Sequence, residues 1–136
     1  GGRVYVAGRD NLRFNLNAGT ALGRYLGLGG ANDAFADTKG DLAGTIPSVG
    51  GHLAYQHHWN DLFRSSATVS FFQALNPDDM PAQRVNRQFL GGIVNLLFSP
   101  IPRTTFGIEY IYARRELRDG RSGVLHRGQS SAKFVF

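Results

Sequence analysis

The chain has 136 residues and no cysteine, which excludes a disulfide scaffold, a thiolate zinc site and a cysteine nucleophile. Its 18 glycines follow no collagen period, and 12% aromatic residues argue against disorder. A net charge of +5 is carried by arginines scattered along the chain, with Lys39 and Lys133 the lysines, which weighs against a nucleic-acid partner.

The longest mainly apolar run, Phe89 to Phe98, contains Asn95 and is too short for a transmembrane helix. A β-barrel, which crosses a membrane with strands, stays open. The chain begins at Gly1-Gly2 with neither an initiator Met nor a leader, so it reads as a processed or excised piece.

In chain order, a short strand is expected from about Arg3 to Gly8. From Leu12 to Gly23, Leu12, Phe14, Leu16 and Ala18 alternate with Arg13, Asn15, Asn17 and Gly19. A period of two puts the two sets on opposite faces of a strand. Gly50 to Trp59 sets Leu53, Tyr55, His57 and Trp59 against His52, Ala54, Gln56 and His58. Leu62 to Ala74 sets Phe63, Ala67, Val69 and Phe71 against Arg64, Ser66, Thr68 and Ser70. Asn86 to Phe98 places Leu90, Val94, Leu96 and Phe98 opposite Arg87, Gly91 and Asn95, with Phe89 and Ile93 interrupting the polar face. Thr104 to Glu116 sets Phe106, Ile108, Tyr110 and Tyr112 against Thr105, Gly107, Glu109, Ala113 and Arg115, with Ile111 an exception. In the last stretch Gly128, Ala132, Phe134 and Phe136 oppose Arg127, Gln129, Ser131 and Lys133. No segment of comparable length has a helical period.

Asp10-Asn11, Asn60-Asp61 and Ser99 to Arg103 supply turn residues for short connections. Arg24 to Val49, Asn76 to Val85 and the Asp119-Gly120 loop form the other set. Seven antiparallel strands therefore carry short turns at one end and longer loops at the other, with the C-terminus at the short-turn end.

Two environments produce such alternation. A soluble barrel or sandwich buries the apolar face, whereas a membrane barrel turns it to lipid and its polar face to a wet lumen. Most of the strands reach roughly ten residues, the length a tilted strand needs to cross a bilayer, against about five or six in soluble sheets. Tyr25, Trp59, Phe63, Phe98, Phe134 and Phe136 fall near strand ends, where an interfacial aromatic girdle lies. The membrane barrel is the reading adopted. Its alternative is a soluble β-barrel binding module whose apolar face holds a small lipophilic ligand.

The aromatic Phe136, with Phe134 two residues before it, resembles the C-terminal signature by which the barrel-assembly machinery recognises outer-membrane barrels. Leu22-Gly23-Arg24-Tyr25-Leu26-Gly27, the strand Tyr55 to Trp59 leading to Phe63-Arg64-Ser65, and Gly107-Ile108-Glu109-Tyr110 followed by Arg114-Arg115 resemble, in order, the C-terminal part of DcaP-like porins of Gram-negative bacteria. That resemblance implies a bacterial outer-membrane location and a homotrimer of barrels, each of roughly sixteen strands, passing small anionic solutes such as dicarboxylates. It also implies a coiled-coil extension and first strands that precede the residues present here.

The fold expected is all-β, an antiparallel transmembrane β-barrel in which residues 1–136 supply about seven strands, the C-terminal segment of a single larger barrel domain. An odd count leaves two unpaired edges, which lipid does not tolerate, so upstream strands are expected. The other option is that Arg24 to Val49 contributes a strand and an eight-stranded barrel closes.

A pore acts through fixed charge and width, so no enzyme activity, catalytic residue, metal or cofactor is expected. Strand parity puts Arg13, Arg64, Arg87, Arg115, Arg127 and Lys133 on the lumen face against Glu109, an arrangement that favours anions. The plainer reading pairs these arginines across strands or with phosphates of outer-membrane lipid and lipopolysaccharide, and Arg114, on the opposite face near the loop end, suits lipopolysaccharide. His57-His58 point to opposite faces and cannot chelate one ion together. Asp78-Asp79 could hold calcium with other loop oxygens, though a solvated acidic loop explains it as well. Gly27-Leu28-Gly29-Gly30 lacks the register and following helix of a phosphate-binding loop, and no GxSxG occurs.

Overall fold

The computed structural model describes residues 1–26, 30–36, 39–78 and 85–136; Gly27-Leu28-Gly29 and Asp79 lie outside the described residues. Its elements are β1 (Gly2–Ala7), β2 (Asp10–Thr20), a single helical turn α1 (Gly23–Leu26), β3 (Ala34–Ala36), β4 (Leu42–Thr45), β5 (Pro47–His58), β6 (Phe63–Ala74), β7 (Asn86–Phe98), β8 (Thr104–Leu117) and β9 (Ser122–Phe134).

Seven strands form one sheet in the order β1-β2-β5-β6-β7-β8-β9, each antiparallel to its neighbours. The sheet is open, with β1 and β9 at its edges and exposed along their whole length. Residues between β2 and β5 add no strand to it. They fold into a separate two-stranded unit, β3–β4, so the eight-stranded alternative is corrected: three- and four-residue strands are too short to join a ladder of ten or more pairs.

Two connections differ from the sequence expectation. The first turn lies at Gly8-Arg9, where Gly8 takes a φ of 55°, and Asp10 already pairs with Ala7. A left-handed residue at that point suits glycine, so the chain reverses one step earlier than Asp10-Asn11 suggested. The Asp119-Gly120 connection is a tight turn instead of a long loop: Arg121 N–H and Nε donate to the Asp119 carboxylate at 3.1 and 2.8 Å, and this acceptor raises the Arg121 pKa.

Directly opposed residues of an antiparallel pair share a face, so the register sorts the sheet into two surfaces. One carries Leu12, Phe14 and Leu16 of β2, Leu53 and Tyr55 of β5, Val69 and Phe71 of β6, Leu90 and Val94 of β7, and Ile108 and Tyr110 of β8. Nothing among the described residues covers it: Leu16 is 66%, Val69 60% and Ile108 62% exposed. A soluble domain buries such a surface, because exposing it forfeits about 25 cal/mol per Å² of apolar area. Among the described residues the buried apolar side chains are Ala31, Ile46, Phe72 and Ala74, and they sit on the other face, at the loop end.

Strands β5 to β9 are 12 to 14 residues long. At about 3.3 Å per residue such a strand measures roughly 40 Å, and a tilt of about 45° fits it to a hydrocarbon layer of about 30 Å.

Candidate functional site

The polar face is built row by row from the same register. Toward its short-turn end, Asn11, Gln56, Ser66, Asn95, Glu109 and Gln129 lie side by side on successive strands. Neighbours in this row are hydrogen-bonded in pairs, and Ser66 N–H donates to Asn95 Oδ1 at 3.0 Å. Asn11 Nδ2 donates to Gln56 Oε1 at 3.2 Å, and Gln129 Nε2 donates to Glu109 Oε1 at 2.7 Å. The next row toward the loops runs Arg3, Arg13, Ala54, Thr68, Ile93, Ile111, Arg127, with its cations at both margins. Toward the short turns, Arg64 Nη1 donates to Ser99 Oγ at 3.0 Å, and Lys133 pairs in register with Thr105.

The charges on this face are poorly matched. Arg13 donates Nε to Asn11 Oδ1 at 2.8 Å and Nη2 to Gln56 Oε1 at 3.1 Å, both neutral acceptors. The Arg and Asp/Glu ion pairs among the described residues join Arg9 to Asp61, Arg87 and Arg114 to Glu116, and Arg121 to Asp119. None uses Arg3, Arg13, Arg64, Arg115, Arg127, Lys133 or Glu109. Cations held by neutral groups keep their field available to a mobile anion, whereas a paired arginine loses most of it.

Arg3 is a site residue that sequence reasoning missed. It stands directly opposite Arg13, a like-charge pair that costs stability in a sheet unless anions or water separate it. Arg87 is the converse case. Strand parity assigns it to the polar face, but the register shifts between Asn86 and Gln88 and leaves it as an extra, bulged residue. Its guanidinium lies 3.9 Å from Glu116 Oε1, on the surface that carries Arg114. With Arg3 gained and Arg87 turned away, the polar face still carries an excess of cations over Glu109.

At the loop end the connection between β2 and β5 folds onto the polar face. Ile46, 1% exposed, and Ala31 pack with Phe72 and Ala74, while Phe35, Val85 and Phe89 close the cluster. Ile46 N–H donates to Asp33 O at 2.8 Å, Arg24 N–H donates to Asp33 Oδ1 at 3.0 Å, and Asn86 Nδ2 donates to Gly30 O. Gly23 is required there, since a Cβ would run into the Ala31 carbonyl oxygen. Beside this cover a hollow of about 830 Å³ opens on the polar face, lined by Asn15, Asn17, His52, Phe89, Arg115 and Tyr25.

The short-turn end carries aromatic residues on the apolar surface. Phe63 stacks on Phe98 with centroids 4.7 Å apart, His57 meets Trp59 edge-on at 4.4 Å, and Phe134 meets Phe136 at 5.6 Å. Asp10 is the polar fastening of this end. Its carboxylate accepts from Tyr55 OH at 2.6 Å and His58 N–H at 2.8 Å, and His57 Nδ1 lies 2.6 Å away.

No family model and no curated protein sequence matches the chain. Among solved structures, the crystal structure of the outer membrane channel DcaP of Acinetobacter baumannii matches it with a TM-score of 0.85 over 98% of this chain, at 17% sequence identity. The sheet has a channel-barrel fold. The chain spans 38% of that channel's length, so its open sheet corresponds to part of a barrel wall. In a transmembrane β-barrel the residues of each strand alternate between a lipid side and a lumen side.

Proposed function

We propose that this chain is part of the wall of a bacterial outer-membrane porin, a passive diffusion channel that prefers small anionic solutes, dicarboxylates among them. The observation that carries the reading is the division of one open sheet into two surfaces. One is apolar and uncovered; the other is polar and holds Arg3, Arg13, Arg64, Arg115, Arg127 and Lys133 against Glu109. Cationic rings or stripes in a wet lumen raise the local anion concentration and exclude cations. The fold likeness to an outer-membrane channel supports the same reading.

Loop packing on Phe72 and Phe89 narrows the lumen from the loop side, next to the hollow at Arg115. Solutes would pass this constriction and then the row flanked by Arg13 and Arg127. A homotrimeric assembly belongs to the same proposal.

The test is the reversal potential of the protein in planar bilayers under a salt gradient. Anion preference is expected, and replacing Arg3 and Arg13 together by Gln is expected to shift the reversal potential toward zero while channels still open. Cation preference of the unaltered protein, or no conductance, contradicts the proposal.

A further inference from the structure

On the apolar surface, one position at the loop end is built differently from the rest. Along β8 the residues of that surface run Ile108, Tyr110, Tyr112 and then Arg114 and Glu116. Across from them on β7 the bulge at Arg87 adds a second guanidinium to the same surface.

One carboxylate serves both cations, and serves them badly. Glu116 Oε2 lies 3.4 Å from Arg114 Nη2, and Oε1 lies 3.9 Å from Arg87 Nη1. The two arginine side chains are about half exposed, at 48% and 52%. The group of two guanidiniums and one carboxylate carries a surplus positive charge. A notch of about 40 Å³ lies between Gln88, Leu90, Arg114 and Glu116. Immediately toward the middle of the strands the surface becomes apolar: Arg114 sits in register with Leu90 and Val124, and Leu90 with Phe71.

A ligand for this place must be anionic at one end and hydrocarbon at the other. It must also reach the surface from lipid. We propose that Arg87 and Arg114 clamp a phosphate of an outer-leaflet lipopolysaccharide molecule, whose acyl chains lie over Leu90, Phe71 and Val124. Two guanidiniums present planar, bidentate donors to one phosphate, and a doubly charged phosphate competes well with a carboxylate held at 3.4 and 3.9 Å. The leaflet follows from the connections, because long loops mark the extracellular end of a bacterial barrel and short turns the periplasmic end. This inference rests on the channel reading, which turns the apolar face to lipid.

The experiment is lipid retention and thermal stability of the full-length protein, delipidated in detergent and titrated with purified lipopolysaccharide. Binding with a rise in unfolding temperature is expected for the unaltered protein. R87Q combined with R114Q is expected to bind about tenfold more weakly or worse, and E116Q, which removes the competing carboxylate, to bind more tightly. Dephosphorylated lipopolysaccharide and inorganic phosphate alone are expected to give no shift. Equal binding by the double variant, equal binding of the dephosphorylated lipid, weaker binding by E116Q, or no binding by the unaltered protein overturns the inference. Conductance of the unaltered protein separates the two readings: channels that open normally while lipid binding ignores Arg87 and Arg114 sink this inference alone.

Discussion

At the short-turn end a set of polar bonds ties neighbouring strands and turns together, whereas at the loop end a buried apolar cluster, absent from the other end, packs over the polar face. Asn60 Oδ1 accepts from Leu62 and Phe63 N–H at 2.9 and 2.8 Å, Arg9 pairs with Asp61 at 3.0 Å, and Asp10 gathers Tyr55, His57 and His58. The loop end has Ile46 wedged on Phe72 and Ala74. A rim held by short hydrogen bonds keeps the register of the whole sheet. The loop-end cover, held by this cluster and by Asn86 donating to Gly30 O, lies over the polar face, so on the channel reading loosening it changes the lumen as well as stability, whereas loosening the rim changes stability alone.

Substitutions can break or sharpen that contrast. Phe72→Ala is expected to have the largest effect, costing about 3–5 kcal/mol through loss of its packing with Ile46, read as an earlier urea midpoint. It is also expected to raise single-channel conductance, because the cover loses its seat. Gly23→Ala forces the Ala31 carbonyl away and is expected to cost about 1–3 kcal/mol, again with higher conductance. Asp10→Ala removes the acceptor of Tyr55 and His58; heat-modifiability on gels is expected to show a smaller loss than for Phe72→Ala, with conductance unchanged. Asn60→Ala, which uncaps one turn, is expected to cost about 1 kcal/mol and likewise to leave conductance alone. A rim variant that raises conductance as much as Phe72→Ala would erase the distinction between the ends.

The faces of β2, β5, β6, β8 and β9 were legible because Leu12, Phe14 and Leu16, or Phe106, Ile108 and Tyr110, repeat at a period that only a strand produces. The bounds of β7, Asn86 to Phe98, were legible as well. What escaped has local causes. A bulge inserts one residue with no signature in the alternation, so parity alone puts Arg87 on the polar face while the bulge carries its guanidinium to Glu116 on the other. Strand β1 has six residues, too few for its period to assign Arg3, whose meaning comes from standing opposite Arg13. Asp10 looked like a turn residue, and its fastening role depends on Tyr55 and His57, which adjoin it only through the β2–β5 pairing. The packing of Ile46 on Phe72 is a contact between a loop and a nominally polar face, and no periodicity records it.

The two-faced sheet is the central claim, and the absence of cysteine from these 136 residues makes it directly testable. Single cysteines placed along β6 in outer-membrane vesicles, at Ser66, Thr68 and Ser70 and at Ala67, Val69 and Phe71, would be exposed to a charged, membrane-impermeant thiol reagent. Labelling at 66, 68 and 70 with protection at 67, 69 and 71 is the result predicted. Uniform labelling, or labelling at 67, 69 and 71 alone, would contradict it.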